Sequence, residues 1–309
     1  MSELIGKKTW RRVDGVLLLD KSTGMTSNSA LQAARRFFSA AKAGHTGTLD
    51  PLASGLLPLC FGEATKFSVD LLAADKTYEA DLLFGIQTDT GDADGSVVRR
   101  CPVDFGNGEL EAAMANFRGP IRQIPPMYSA LKRDGKPLYD LARQGIEVER
   151  APREVTIHDL QLLDFAGDRC RLRVTCSKGT YIRTLAEDLA HALGGLAHLT
   201  ALRRTAVGAL NVVDAVTLEQ LAELAEETRG QWLLAPDTLL QSLPATALDD
   251  EAARRFMHGN PVSVMAAPGK CRVYGQGRLL GLGEVDDAGS LQPRRVVGGA
   301  VGCSGDERE

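Results

Sequence analysis

The pattern of apolar and polar positions along the chain predicts a mixture of strands and helices. The predicted strands are apolar runs or alternating segments, at residues 15–19, 76–86, 154–165 and 169–177. The predicted helices are residues 27–41, 109–117, 179–193 and 217–226. In the first helix Leu31, Ala34 and Phe38 fall on one face, and Thr26 or Ser27 can cap its first turn.

Glycine, proline and small polar residues mark the predicted connections. Residues 44–55 (GHTGTLDPLASG) show no periodicity and are predicted to form a loop, and residues 87–95 (QTDTGDADG) a hairpin connection. Residues 120–152 are predicted to form a long basic excursion from the core, with a short helix near residues 138–143. After about residue 245, short strands and turns recur, which is typical of a small β-rich domain.

The composition is that of a globular protein, with 44% hydrophobic and 25% charged residues among 309. No apolar run has the length of a membrane span, and the N-terminus lacks the apolar core of a signal peptide. The six cysteines show no CxxC spacing, which favours free thiols in a reducing compartment. The sequence therefore predicts a cytoplasmic protein with no membrane partner.

Local charge varies strongly along the chain although the net charge is only −4. Residues 1–49 contain eight Lys or Arg and three Asp or Glu. Residues 118–153 contain eight Lys or Arg and four Asp or Glu. Residues 214–251 contain nine Asp or Glu and one Arg. Basic segments with an acidic flank are compatible with nucleic acid bound on one face, although charge runs are more often solvated surface.

Motifs for nucleotide cofactors and metals do not occur in the sequence. Gly275, Gly277 and Gly281 have GxGxxxG spacing in a hairpin-like segment, whereas a dinucleotide site needs GxGxxG between a strand and a helix. No P-loop and no zinc deaminase signature is present, and the histidines other than His45 match no ligand spacing. The prediction is a protein that uses no cofactor and no metal.

Asp50 is the candidate for chemistry within the segment 44–55. It lies five residues after His45 among glycines and hydroxyl side chains, and Pro51 biases its backbone away from helical geometry. An ionised carboxylate can act as a nucleophile or stabilise positive charge in a reaction. Asp-Pro is also a common turn signal, so the residue types alone leave both interpretations open.

Six stretches of the sequence resemble the TruB family of tRNA pseudouridine synthases. They occur in the family's order over about residues 13–210 and read GVLLLDKSTGMTSNSAL, AGHTGTLDPLASGLLPLCFGEATKFS, KTYEADLLFG with TDTGDADG, FRGPIRQIPPMYSALKRDGKPLYDLARQGIEV, CSKGTYIRTLAEDL and AHLTALRRTAVG. One departure is Ser22, because the family usually has proline after the preceding lysine.

The resemblance implies an α/β (α+β) fold with a mixed, mostly antiparallel central sheet of the pseudouridine synthase type and flanking helices. It implies a catalytic domain at residues 1–245, which contains an RNA-clasping insertion at residues 120–152. A weaker resemblance from PVSVMAAPGK to LQPRRVV implies a small β-rich, PUA-like domain at residues 246–309.

The resemblance also implies roles for individual side chains at the target nucleotide. Asp50 matches the catalytic aspartate, and Arg183 matches the arginine that would keep it ionised. Tyr78 should stack on the target base and is the implied proton acceptor at the base carbon, while Tyr181 and Leu202 should contact the target nucleotide.

Further residues are implied to hold the RNA around that nucleotide. His45 should fill the gap left by a base that is flipped out of the stack, and Lys21 is a candidate for a phosphate contact near the pocket. The insertion should contact phosphates through Lys132, Arg133, Lys136 and Arg143.

The implied function is isomerisation of uridine to pseudouridine at position 55 in the T loop of tRNA. The reaction breaks the N-glycosidic bond, turns the base and rejoins it through carbon, so it needs no cofactor and no metal. The implied partner is the T arm of tRNA, bound by a monomer. The alternatives are a non-catalytic tRNA-binding and folding module, which has no use for the carboxylate of Asp50, and an RNA-guided synthase that works in a complex.

Overall fold

A computed structural model describes residues 9–298, so residues 299–309 at the end of the predicted second domain lie outside the described part. Fourteen strands precede residue 245: β1 Gly15–Lys21, β2 Ala43–His45, β3 Ala53–Phe61, β4 Lys76–Phe84, β5 Ile86–Thr88, β6 Val97–Arg100, β7 Gly119–Gln123, β8 Lys132–Arg133, β9 Lys136–Pro137, β10 Arg153–Ala166, β11 Arg169–Cys176, β12 Ala197–Val207, β13 Leu210–Asn211 and β14 Leu233–Leu234.

Ten of these strands form one central sheet, in the order β14-β1-β3-β12-β4-β11-β10-β7, with β13 on β12 and β2 on β3. Within the described residues, β3 and β12 make the one parallel pairing of this sheet, and its other pairings are antiparallel. The predicted mixed, mostly antiparallel sheet is therefore confirmed. The remaining strands form the hairpins β5–β6 and β8–β9.

Seven α-helices accompany the sheets in the described residues: α1 Ser27–Phe38, α2 Ser68–Leu72, α3 Asn107–Ala115, α4 Leu138–Ala142, α5 Ile182–Ala192, α6 Leu218–Glu223 and α7 Asp250–Met257. None of them is long and apolar enough to cross a membrane. Thr26 caps α1 by accepting a hydrogen bond from the Ser29 amide, as predicted for a hydroxyl residue at this position. The predicted face of α1, with Leu31, Ala34 and Phe38, is buried against β1 and β3.

Three sequence predictions about element bounds were wrong in part. The segment 44–55 is not a loop throughout, because its ends pair as β2 and β3, and pairing of this kind depends on tertiary context rather than on local propensity. The excursion predicted to begin at residue 120 begins after Gln123, because residues 119–123 pair with β10 at the edge of the sheet. The helix predicted from Gly179 begins at Ile182, since Tyr181 is its extended N-cap.

A second sheet of five strands follows: β15 Ala245–Leu248, β16 Val262–Ser263, β17 Gly269–Gly275, β18 Arg278–Val285 and β19 Ser290–Val296. Helix α7 packs on it, and Phe256 of this helix is fully buried in its core. The GxGxxxG glycines lie in the β17–β18 hairpin, as predicted. Arg295 of β19 reaches Asp70 of α2 at 3.3 Å, and the Lys66 ammonium donates to the Val296 carbonyl at 2.9 Å, so the two sheets are in contact.

Gly55 on β3 lies directly against the backbone of Arg204 on β12, which gives a stability prediction. Its φ is +98°, and a Cβ atom there would lie 2.2 Å from the Arg204 carbonyl oxygen. We expect Gly55→Ala to lower the free energy of unfolding by about 2–4 kcal/mol, through overpacking and backbone strain. Urea unfolding measures the change, with Gly44→Ala as the control because nothing lies within 4 Å of that position. Equal stability of the two variants would contradict the prediction.

Candidate active site

The loop that carries Asp50 is fixed by hydrogen bonds to the start of α1 and to the turn before it. The buried Ser27 hydroxyl donates to the Leu49 carbonyl at 2.9 Å and accepts from the Leu49 amide at 2.8 Å. The Pro51 carbonyl accepts from the Gly24 amide at 2.8 Å. The backbone on both sides of Asp50 is thereby held, while its side chain is 45% exposed.

Arg183, in the first turn of α5, joins Asp50 to two other segments. One guanidinium nitrogen donates to the Asp50 carboxylate at 2.9 Å and to the Tyr128 carbonyl at 2.6 Å. The second donates to the Thr90 carbonyl at 2.9 Å, and Nε lies 3.6 Å from the Asp92 carboxylate. The side chains of Arg183 and Asp92 are only 7% and 8% exposed, so this pair is withdrawn from water. The predicted partnership of Arg183 with Asp50 is therefore present in the structure.

Two adjoining cavities meet at Asp50 and Arg183. The first has a volume of about 350 Å³, and the residues predicted for the target nucleotide that line it are Tyr78, Tyr181 and Leu202. The second has a volume of about 720 Å³ and is lined by His45, Tyr139 and Arg143 among others. The carboxylate thus stands between a cavity of base size and a wider, more open one.

Tyr78 and Leu202 lie on the neighbouring central strands β4 and β12. In the register of these strands Tyr78 is opposite Arg204, and Leu202 is opposite Ala80. Leu202 is partly buried and packs against two hydrophobic clusters, one that contains β4 and helix α5 and one that contains β1, β3 and helix α1. Burial raises the pKa of the Tyr78 phenol, and the positive charge of Arg204 opposes this shift.

Tyr181 is held at the wall of the first cavity by Gln123, the last residue of β7. The Gln123 amide donates to the Tyr181 carbonyl at 3.2 Å and accepts from its backbone amide at 3.0 Å. Burial raises the pKa of the Tyr181 phenol, and the neighbouring Ser129 hydroxyl opposes the shift. The phenol is therefore neutral near pH 7 and available as a hydrogen-bond partner.

His45, at the end of β2, lines the second cavity together with Asp50. Burial, assisted by the charge of Arg204, lowers the pKa of the imidazole below its usual 6.5. The ring is therefore neutral near pH 7 and can stack on a base without carrying charge. The expected place of His45 beside the target nucleotide stays a prediction.

Lys21 is fully buried, which does not fit a contact with phosphate. Its ammonium donates to the Ser22 carbonyl at 2.9 Å and to the Met25 carbonyl at 2.8 Å. The predicted phosphate role is therefore wrong for this structure, because the group is inaccessible and already bonded. Lys21 instead closes the turn that contains Ser22, the position where the family usually has proline.

The buried ammonium of Lys21 gives a pH prediction. Burial lowers its pKa from 10.5 to about 8, partly offset by the charge of Asp50. Between pH 8 and 10.5 the unfolded chain holds one proton more than the folded protein at this site, so stability rises with pH there. We expect the stability of the wild type relative to Lys21→Met to increase from pH 7 to pH 9.5, measured by urea unfolding. A constant difference between these pH values would contradict the lowered pKa.

The basic residues of the insertion lie on its surface. Lys132, Arg133 and Lys136 are exposed on the β8–β9 hairpin, and Arg133 donates to the Glu149 carbonyl at 2.8 Å. Arg143 lines the second cavity with its guanidinium 5.5 Å from the centre of the Tyr139 ring. The insertion thus presents cations beside the cavity that contains Asp50.

Sequence reasoning missed four buried polar residues that build the site: Lys76, Asp92, Gln123 and Arg204. Each lies within one of the stretches that carry the family resemblance. Their burial was the missing information, because an isolated Arg or Asp in a sequence is most often a surface residue. The resemblance was the available signal, since KTYEA, TDTGDADG, RQIPP and LRRTAVG all fall within the matched stretches.

Comparisons with known proteins agree with the geometry of this site. A family model described as TruB family pseudouridylate synthase (N terminal domain) matches residues 35–182. A model described as tRNA pseudouridylate synthase B C-terminal domain matches residues 183–243, and one described as Pseudouridine synthase II TruB, C-terminal, matches residues 244–297. A curated relative from Dechloromonas aromatica named tRNA pseudouridine synthase B is 61% identical over 94% of this chain and 98% of its own length. The chain belongs to the TruB family of tRNA pseudouridine synthases. The enzyme is therefore an isomerase of this class.

Other relatives and solved structures support the same assignment of family and fold. A relative from Aromatoleum aromaticum with the same name is 58% identical to the enzyme over 93% of this chain and 94% of its own length. The crystal structure of a Cbf5-Nop10-Gar1 complex contains a chain with a TM-score of 0.71 and 25% identity, matched over 92% of the enzyme and 84% of that chain. An archaeal box H/ACA sRNP Nop10-Cbf5 structure gives a TM-score of 0.70 at 23% identity, with coverage of 92% and 86%.

Proposed function

We propose that the enzyme converts uridine 55 in the T loop of tRNA to pseudouridine, by flipping the base into the first cavity beside Asp50. The observation that carries the proposal is the 2.9 Å contact between Arg183 and Asp50 at the wall of a cavity that also contains Tyr78 and Leu202. A binding module would have no use for a carboxylate held in this way against a polyanionic ligand. A cavity of about 350 Å³ has the size for a single base.

In the proposed mechanism the carboxylate of Asp50 attacks the ribose or the base, and the N-glycosidic bond breaks. Tyr78 stacks on the base, and its phenol oxygen takes the proton from the base carbon as the phenol's own proton passes on to N1. Leu202 and Tyr181 hold the nucleotide, and the neutral ring of His45 occupies the gap in the RNA stack. Because the side chain of Asp50 is 45% exposed without RNA, the bound T arm has to complete its shielding from water.

The proposed partner is the T arm of tRNA, bound by a cytoplasmic monomer that needs no metal. The proposed division of the chain is a catalytic domain at residues 1–245, with its RNA-clasping insertion at 124–152, after β7, and a PUA-like domain at 246–309. The 61% identity to a relative named tRNA pseudouridine synthase B, against 25% to the chain of the Cbf5 complex, favours a bacterial enzyme that works alone over an RNA-guided one.

The experiment is to incubate the purified enzyme with an unmodified tRNA transcript and to map pseudouridine along it. The matched control is a transcript with cytidine at position 55. Pseudouridine at position 55 alone, absent from the control transcript, is the expected result. Modification at another position, or none on a transcript that the enzyme binds, would overturn the proposal.

The proposed clasp predicts how tRNA binding depends on salt. The side chains of Lys132 and Lys136 are exposed and form no ion pair with any residue of the described range 9–298, so each is free to neutralise a phosphate. We expect the double variant Lys132→Gln, Lys136→Gln to flatten the slope of log affinity against log salt by about 1.5. The control is Arg171→Gln with Arg173→Gln, because these guanidinium groups already pair with Glu79. Equal slopes for wild type and hairpin variant would contradict the clasp.

A further inference from the structure

Arg204 lies at the centre of the main sheet, directly beneath the first cavity. It belongs to β12, opposite Tyr78 on β4 and opposite Gly55 on β3. Its side chain is among the largest fully buried ones, with the residue 1% exposed. The Nε group donates to the Leu56 carbonyl at 2.8 Å, which fixes the direction of the guanidinium.

One end of this buried guanidinium has no hydrogen-bond partner. The Nη2 atom is shielded from solvent and finds no acceptor among the described residues 9–298. An unpaired charged donor in the interior carries a desolvation penalty, so native proteins rarely leave one without a use. Arg204 also lines the cavity that contains Asp50, Tyr78 and Leu202. These observations point to an acceptor that enters the cavity with the substrate.

The chemistry of the proposed reaction supplies such an acceptor. When the N-glycosidic bond breaks, its electron pair stays with uracil, and the negative charge spreads from N1 to the carbonyl oxygens. A new bond then forms between the ribose carbon and the base carbon; the proton leaves that carbon, and N1 takes up one proton. The base has the same composition before and after, and it is anionic in between.

We propose that Arg204 is a catalytic residue whose free Nη2 group binds a carbonyl oxygen of the target uracil and stabilises the negative charge on the detached base. The inference rests on the proposed function and adds a residue to it. A donor that is fixed in a buried site stabilises developing charge without reorganisation in the transition state. A carbonyl oxygen of a base fits this acceptor better than a phosphate, because Arg204 is buried at the wall of a base-sized cavity.

The charges around Arg204 fit an anionic occupant. Lys21 and Lys76 are buried nearby, and burial together with the positive charge of Arg204 lowers the pKa of each to about 8. Both ammonium groups are therefore largely charged at pH 7, and Lys76 lines the first cavity together with Arg204. This pair of cations attracts a uracil anion more strongly than neutral uracil, which is the difference that accelerates a reaction.

The test compares Arg204→Gln and Arg204→Lys with wild type in single-turnover pseudouridine formation and in tRNA binding. The matched control is Arg203→Gln on the same strand, because the Arg203 guanidinium is 41% exposed and pairs with Asp20. For Arg204→Gln we expect a rate lower by about 100-fold or more, with the dissociation constant for tRNA within about threefold of wild type. We expect the rate of Arg204→Lys to be at least about tenfold higher than that of Arg204→Gln, since lysine restores the charge. Arg203→Gln should retain the wild-type rate.

An Arg204→Gln rate less than about tenfold below wild type would overturn the proposal, as would a loss of rate matched by an equal loss of tRNA binding. Equal rates for the Lys and Gln variants would also overturn it, because charge would then have no part. If Arg204→Gln does not fold, a folded Arg204→Lys with unchanged tRNA binding decides alone: a rate more than about threefold below wild type supports the proposal, and a rate within about threefold of wild type overturns it. Failure of the proposed function is separate, since wild type would then make no pseudouridine at position 55.

Discussion

Asp50→Asn should lose pseudouridine formation while it keeps tRNA binding. Asparagine has the shape of aspartate and can still accept a hydrogen bond from Arg183, which now lies 2.9 Å from the carboxylate. It has no charge and cannot act as a nucleophile, so we expect a single-turnover rate lower by at least about 10³-fold. The dissociation constant for tRNA should stay within about threefold, because the carboxylate makes no favourable contact with a polyanion.

The measurement for Asp50 is single-turnover modification of a tRNA transcript, with binding measured in parallel. Glu284→Gln is the matched control, because it also removes one carboxylate from an arginine pair, with Arg294 at 2.9 Å in the second sheet. The control should retain both rate and binding. An Asp50→Asn variant that makes pseudouridine within tenfold of the wild-type rate would remove Asp50 from the chemistry.

The elements of the fold that could be predicted from sequence are those with a strong local pattern. The α1 face with Leu31, Ala34 and Phe38 was predictable because three apolar residues at helical spacing indicate the buried face of a helix. The strand β2 was not, since AGH has no local strand signal and is ordered by its pairing with β3. Residues 119–123 were not predicted as a strand, because a segment that begins Gly-Pro is typical of a turn. The strand tolerates this proline because it lies at the edge of the sheet.

The candidate site was predictable at its charged centre and not in its supporting groups. Asp50 and Arg183 lie in the stretches that resemble the family, and the structure brings them together at 2.9 Å. Their wider support depends on contacts between residues far apart in sequence, such as the bond from Arg183 to the Tyr128 carbonyl. Lys21 was misjudged for the same reason, because a lysine in a sequence gives no sign that backbone carbonyls will enclose its ammonium.

Arg183→Met should destabilise the protein as well as slow the reaction. The substitution removes the donors to the Thr90 and Tyr128 carbonyls and leaves the carboxylate of Asp92 8% exposed without its cation. Breaking one partner of a buried pair costs about 3–5 kcal/mol, because the remaining charge is uncompensated. The exposed pair of Arg294 provides the control: Arg294→Gln should change stability by about 1 kcal/mol or less.

A second substitution separates the two consequences of losing Arg183. Adding Asp92→Asn to Arg183→Met removes the uncompensated buried charge, so we expect it to restore part of the free energy of unfolding in urea titrations. It cannot restore the bond that holds Asp50, so the single-turnover rate should stay at least about 100-fold below wild type. If the double variant instead regained the wild-type rate, the role of Arg183 would be confined to folding, and Asp50 would be positioned by its loop alone.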